Sequence, residues 1–283
     1  MAVWGSSFAI LRGLLRGAEA SPLALVAVRM GLASLLLFAY LAMFRPRELR
    51  MDRRLLLDGL LAGALLGAGF ILQTEGLQRT TASRSGFLTG TLVVFTPLIE
   101  FALFRKRPSA PSLAGVVLAF CGMTFLSAPW SDASQATSLG DLLTLLCAIV
   151  FAAQIVALGR SAPRHPVLPM VLLQLATTGA MAAVAGPMVE AQHFSGAPRL
   201  WGAVVYLALF ATLLAFGIQT WAQKILPPVR VALISSLEPV FAAIWAAVLI
   251  GERMSGRELI GGALIVFGVV VGEVGAAWRR AAT

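Results

Sequence analysis

The chain of 283 residues is 59% hydrophobic and only 12% charged, about half the charged share of an ordinary soluble domain. Its mean hydropathy of +0.87 therefore excludes a water-soluble globule and makes the lipid bilayer the first partner. A net charge of +9 raises nucleic acid, yet the basic residues stand between apolar stretches rather than among stacking aromatics, so their job is orientation and no nucleic-acid partner is expected.

A hydrocarbon core about 30 Å thick needs roughly 20 apolar residues per crossing helix, and charges, prolines and glycines cut the chain into ten such spans. The first runs from the N-terminus to about Arg16, the second covers Pro22–Phe44, the third Leu55–Leu77, the fourth Thr81–Phe104 and the fifth Ser112–Ala128. The polar stretch Ser131–Ser138 joins the halves. The sixth span is Leu139–Leu158, the seventh Val167–Val189, the eighth Leu200–Gln223, the ninth Val229–Ile250 and the tenth Glu258–Trp278. Residues 2–16 would rise only ~22 Å at 1.5 Å per residue, so the first span is short. A start downstream of the natural one, or local thinning with Arg12 and Arg16 snorkelling outward, accounts for it. A signal peptide does not, because no basic n-region or small-x-small cleavage pattern precedes Pro22.

The chain also repeats itself. Phe70, Gln73, Thr74, Arg84, Val94, Phe95, Ser109, Gly115 and Gly122 recur 146 residues later as Phe216, Gln219, Thr220, Arg230, Val240, Phe241, Ser255, Gly261 and Gly268. An ungapped register through several apolar segments implies two copies of one unit, residues 1–132 and 133–283, and such copies in a membrane usually enclose a site. Five spans per copy is an odd number, so the second copy enters the bilayer from the opposite side. The expected fold is an all-α polytopic membrane protein of ten transmembrane helices arranged as two inverted five-helix repeats. With the N-terminus inside, fourteen Lys and Arg fall in cytoplasmic segments and seven in outer ones, with Arg29 inside the second span. Both termini are thus expected to be cytoplasmic.

Charge or amide at depth needs a partner, water or a task. Glu238 stands about ten residues into the ninth span, directly before Pro239, whose ring removes a backbone hydrogen bond. One turn would offer a carboxylate, the carbonyl of Ser235 and the hydroxyls of Ser235 and Ser236. Two readings fit: a substrate-amine or proton site, and a protonated or internally paired Glu at a kink. Pro97 in the fourth span is not the mate of Pro239, since the register carries it to Ala243; the two kinks should differ by about one turn and gate the inner side. Phe70 with Gln73, and Phe216 with Gln219, share helical faces and suit a polar, part-apolar solute, although such amides also tie helices together. Gln154 and Trp4 are similar candidates, whereas Gln174 reads as structural. Snorkelling or mutual pairing would explain Arg29 and Glu100. Glu75 reads as solvated and Glu273 as an interface residue. Glycines at four-residue spacing, such as Gly59, Gly63 and Gly67, read as intramolecular packing rather than dimerisation.

Cys121 and Cys147 lie in apolar segments at no ligand spacing and read as buried hydrophobes. His165 and His193 have no acidic or cysteine partners at metal spacing, and no phosphate loop is present. No metal, cofactor or enzyme activity is expected.

Gln219-Thr-Trp-Ala-Gln223, Ile234-Ser-Ser-Leu-Glu-Pro-Val-Phe241, Gly251-Glu-Arg253 and the glycine-spaced tenth span resemble the second half of an EamA-type permease of the drug/metabolite transporter superfamily. Trp4-Gly5-Ser6-Ser7-Phe8 is similar to that family's first helix, and Gly86-Phe-Leu-Thr-Gly90 with Val94-Phe-Thr-Pro97 to its fourth. Arg105-Lys-Arg-Pro-Ser109 lacks the acidic residue often found at that turn. The resemblance implies a ten-helix secondary carrier of the inner membrane, exporting amino acids, other small metabolites or amphiphilic drugs. Its cavity would be lined by the first, third, fourth, sixth, eighth and ninth helices. Its expected partners are a small-molecule substrate and lipid, as a monomer or weak homodimer. The alternatives are a passive facilitator, a multidrug efflux carrier and, in another class, a polytopic membrane enzyme or lipid flippase.

Overall fold

A computed structural model describes residues 1–6, 10, 19–80, 82–127, 138–250 and 254–281. Most of the expected first span and most of the joining stretch after Ser131 lie outside these residues. Among those described every regular element is helical, and the pairing of Ala20 with Phe194 is an isolated bridge. Residues 2–6 are helical, followed by α1 Pro22–Phe44, α2 Arg53–Leu77, α3 Ala82–Gly90, α4 Leu92–Phe104, α5 Ala110–Ser127 and α6 Ser138–Ser161. Then come α7 Val167–Val189, α8 Pro198–Tyr206, α9 Ala215–Ala222, α10 Pro228–Ser235, α11 Glu238–Ile250 and α12 Gly256–Ala281. A π-helical segment, Leu207–Leu214, joins α8 to α9. Nine stretches among the described residues are long and apolar enough to cross a bilayer. With all-helical structure and side chains such as Val184 and Met188 exposed to 69% and 81%, the chain is a polytopic membrane protein whose outer apolar surface needs lipid to cover it.

Local chemistry sets the helix starts. Proline occupies the first turn of α1, α8 and α10, where a missing N–H costs nothing. Asp52 accepts the Leu55 N–H at 2.7 Å ahead of α2. Ser109 and Ser255, repeat mates, do the same work in both halves: Ser109 Oγ accepts the Ser112 N–H, and Ser255 exchanges bonds with Glu258 in a capping box. The recurrence of serine here is thus a helix signal rather than a site signal.

The 146-residue register extends to the helix bounds. Shifting α3 and α4 by 146 gives 228–236 and 238–250, which are the bounds of α10 and α11 to within a residue. The fourth and ninth spans are therefore both broken, and at equivalent places. This corrects the expectation of proline kinks one turn apart. Pro239 sits in the first turn of α11, where it is tolerated, and Pro97 lies inside α4, six residues beyond the break at Thr91. What marks each break is a hydroxyl competing for a carbonyl three residues back: Thr91 Oγ1 donates to Leu88 O at 2.5 Å and Ser236 Oγ to Leu233 O at 2.6 Å. The backbone N–H of each also splits between two carbonyls.

The helices gather into two compact units, each drawing on both halves of the chain. The first holds residues 1–6, α3, α4, α5, α6 as far as Val156, α10, α11 and α12. Its core joins Val93, Val116, Ala119, Met123, Val229, Leu233, Ile265 and Val269. At its centre α5 and α12 approach until backbone meets backbone. A Cβ on Gly115 would lie 2.5 Å from the Gly268 carbonyl oxygen, and one on Gly122 would lie 2.6 Å from that of Gly261. Gly115 and Gly261 are mates, as are Gly122 and Gly268, so exchanging the two halves returns the same contacts. As one helix ascends the other descends: the pair is antiparallel and related by a local two-fold axis.

The second unit holds α1, α2 as far as Thr74, the last turn of α6, α7, α8, the π segment and α9. Gly59, Gly63 and Gly67 face Leu173, Thr177 and Met181 of α7, so that stripe packs inside the unit, as expected. Thr178 Oγ1 reaches the Gly63 carbonyl at 3.1 Å. Glu190 Oε1 accepts the Leu23 N–H at 2.7 Å, a carboxylate at the positive start of α1.

Candidate solute-binding site

In the first unit the site candidates Ser235, Ser236 and Glu238 lie at the α10–α11 break. Glu238 opens α11 and is half-buried. Its carboxylate stands at a helix N-terminus inside a membrane span, where the dipole favours negative charge. Its repeat mate is Leu92, so only one of the two breaks carries an acid. Phe241, Ala242 and Trp245 follow on the same face, and the N-terminal stretch covers that face. Trp245 Nε1 donates to the Ala2 carbonyl at 3.0 Å, and a Cβ on Gly5 would lie 2.7 Å from Phe241 Cβ. The structure thus brings the stretch carrying Trp4 onto the helix of Glu238. Gln154 is buried on α6 of the same unit. Ser235 and Ser236 are less available than expected, because each donates its hydroxyl hydrogen back into α10, to Val231 O at 2.9 Å and Leu233 O at 2.6 Å. They retain acceptor lone pairs for a solute.

The second unit holds the paired aromatic and amide residues. Phe70 and Gln73 are half-buried on α2. Phe216 and Gln219 are buried on α9, and the Gln219 Oε1 has no hydrogen-bond partner among the described residues. A buried orphan acceptor is costly, on the order of 1–3 kcal/mol, which a solute donor or water would relieve. Gln174, read as structural, spans Met170 O at 3.2 Å and Thr220 Oγ1 at 3.3 Å.

Several ionic readings change. Glu75 is not solvated: Arg79 pairs with it at 2.5 Å and Gln78 donates to it at 3.3 Å. Glu273 makes a two-point pair with Arg230, and Arg84, the mate of Arg230, binds Asp141 together with Thr80. Neither snorkelling nor mutual pairing describes Arg29 and Glu100. Glu100 is buried beside Lys106 at 3.5 Å, while the Arg29 guanidinium lies 5.0 Å from the Phe70 ring centroid in the other unit. His165 does meet an acid, Asp58, at 2.8 Å, and Cys121 is exposed rather than buried. The partners of Glu273, Arg84, Arg29 and His165 come from distant sequence positions, which no spacing rule reaches, whereas those of Glu75 and Glu100 are local. No group of metal-binding side chains occurs among the described residues.

Broken helices with an acid at one break and amides elsewhere are the parts of a membrane carrier. The family model of EamA-like transporters matches residues 1–128 and again 138–272. The chain belongs to the EamA-like transporter family. This EamA-like chain is 28% identical to a transporter of Archaeoglobus fulgidus, over 95% of its own length and 82% of that protein's. It is 26% identical to a probable amino-acid metabolite efflux pump of Escherichia coli, over 99% and 94% of the two chains. The inner membrane transporter YedA of Escherichia coli is 27% identical, over 96% and 88%. A solved crystal structure superposes with a TM-score of 0.82 at 22% identity, covering all of this chain and 96% of that one, a likeness of fold. The EamA-like chain is by kinship a membrane transporter.

Two features of this transporter escaped the sequence. The π segment in the eighth span has an α-helical counterpart at residues 61–68, and no residue type announces it. The helix breaks had a faint signal in Thr91 and Ser236, which is common in unbroken helices too.

Proposed function

We propose that this EamA-like transporter is a secondary carrier exporting amino acids or related amphiphilic solutes by alternating access between two inverted repeats, residues 1–132 and 133–283. The observation that carries the reading is the pair of equivalent helix breaks, one of which places Glu238 at a helix N-terminus within a span. Discontinuous helices supply polar backbone and a dipole where a continuous helix supplies neither. The symmetric α5–α12 contact supports the inverted arrangement, because a local two-fold across antiparallel helices turns one half over relative to the other. The solute-binding candidates are Trp4, Gln154, Ser235, Ser236 and Glu238 in the first unit and, taken separately, Phe70, Gln73, Phe216 and Gln219 in the second. Pro239, in the first turn after one break, and Pro97, six residues beyond the other, would limit where the half-helices bend. The efflux names of relatives favour export, the name of the inner membrane transporter YedA favours that location, and the excess of Lys and Arg in the segments read as inner favours cytoplasmic termini.

Glu238 is the proton-coupling candidate, since its carboxylate has no counterpart at the other break. The test is solute counterflow and pH-gradient-driven uptake in liposomes. Glu238→Gln should retain counterflow and lose the response to an imposed pH gradient. Transport rate and pH response both unchanged in that variant would remove the proton role. A wild-type flux indifferent to the gradient would instead identify a passive facilitator.

A further inference from the structure

Arg29 sits eight residues into α1, about 10 Å from its start at 1.5 Å per residue. The residue is 6% exposed, and its guanidinium carbon lies 5.0 Å from the centroid of the Phe70 ring. The ring presents its π face to the cation and supplies no oxygen acceptor for the guanidinium N–H groups. Arg29 Nε is buried without an acceptor, and among the described residues no carboxylate pairs with the group.

The acids of the same unit are placed elsewhere. Asp58 takes Arg164 and His165, Glu48 takes Arg45, and Asp52 and Glu190 cap helices. Glu19 lies ten residues earlier in the chain and does not pair with Arg29. A buried planar cation set over an aromatic ring, with Nε lacking an acceptor and no carboxylate paired to it, matches a planar two-oxygen anion. A single guanidinium balances one negative charge. Phe70 and Gln73, one turn apart on the same face of α2, add an apolar wall and an amide rather than a second cation. That combination suits a monocarboxylate with an apolar body better than a phosphate dianion.

We propose that Arg29 is the carboxylate anchor of the solute site, so that the solutes carried bear one carboxylate beside an apolar group. The assignment rests on the carrier reading above and narrows it to a substrate class.

The test uses the purified full chain and matched probes: L-leucine and L-phenylalanine, their amides, and the amines lacking the carboxyl carbon. Binding is measured calorimetrically, and counterflow in liposomes. At least one acid should bind wild type about tenfold or more tighter than its amide, since a site built for a polar group rejects analogues lacking it. Arg29→Gln should bring the acid to the level of the amide while leaving amide affinity unchanged, and Arg29→Lys should fall between. Equal affinity for acid and amide in wild type overturns the proposal without any variant, so misfolding of a variant does not protect it. Discrimination that survives Arg29→Gln overturns it as well. Amides or amines that still exchange in liposomes would leave the carrier standing while the anchor falls. Failure of every probe to bind or exchange would remove both.

Discussion

Arg84 and Arg230 occupy the same place in their half-helices, yet each found a different acid. Arg84 took Asp141 at the start of α6, and Arg230 took Glu273 near the end of α12. The duplicated arginine was legible in the sequence, but its two acids were not, because they lie 57 and 43 residues away at unrelated repeat positions. Both pairs are partly buried, so the charges are neither fully screened nor fully desolvated. Arg230→Gln should lower stability by about 1–3 kcal/mol, and Glu273→Gln should add little on top of it, because the two changes remove one interaction. Thermal unfolding of single and double variants in detergent checks this; additive losses would mean that the pair is not coupled.

At the scale of elements, glycine marks where helices touch. Around Gly115 and Gly122 the partner backbone occupies the place of a side chain. Gly122→Val should therefore cost at least about 1–3 kcal/mol through overpacking and separate α5 from α12. Gly86 is also helical and spaced four residues from Gly90, but a Cβ there meets nothing within 4 Å. Gly86→Ala should be neutral or stabilise by up to ~1 kcal/mol through helix propensity. Unfolding temperatures of both variants, compared with wild type, decide. Four-residue spacing in the sequence made Gly86 and Gly90 look alike, yet a Cβ on Gly90 would run into Met123 Sδ, and only the neighbouring helix separates them. The same holds for the broken spans: apolar length forecast one helix each, while hydroxyl back-bonding cut both.

At the scale of the whole molecule, the outer surface is set by lipid and the topology by charge. Leu35, Met43, Val184 and Met188 expose most of their side chains, which water would not tolerate in such number. The positive-inside bias predicts the short helix Pro46–Leu49 on the cytoplasmic side and the segment after α7 outside. In a background with Cys121 and Cys147 replaced, Gly196→Cys should react with an impermeant maleimide on intact cells, and Arg47→Cys only after lysis. Labelling in the reverse order would invert the proposed orientation.

The sequence by itself determined what a solvent and a period can dictate. Apolar runs of crossing length fixed the spans, with α1 and α7 matching their expected bounds, because each helix satisfies its own backbone wherever it sits in lipid. The register of 146 likewise fixed which helices correspond. Tertiary structure alone decided that the units mix both halves, that Arg29 lies against Phe70, and that Glu273 is paired with Arg230. Those outcomes depend on which helices are neighbours. Neighbour choice among equally apolar helices is made by close packing and by the few polar side chains, not by hydropathy.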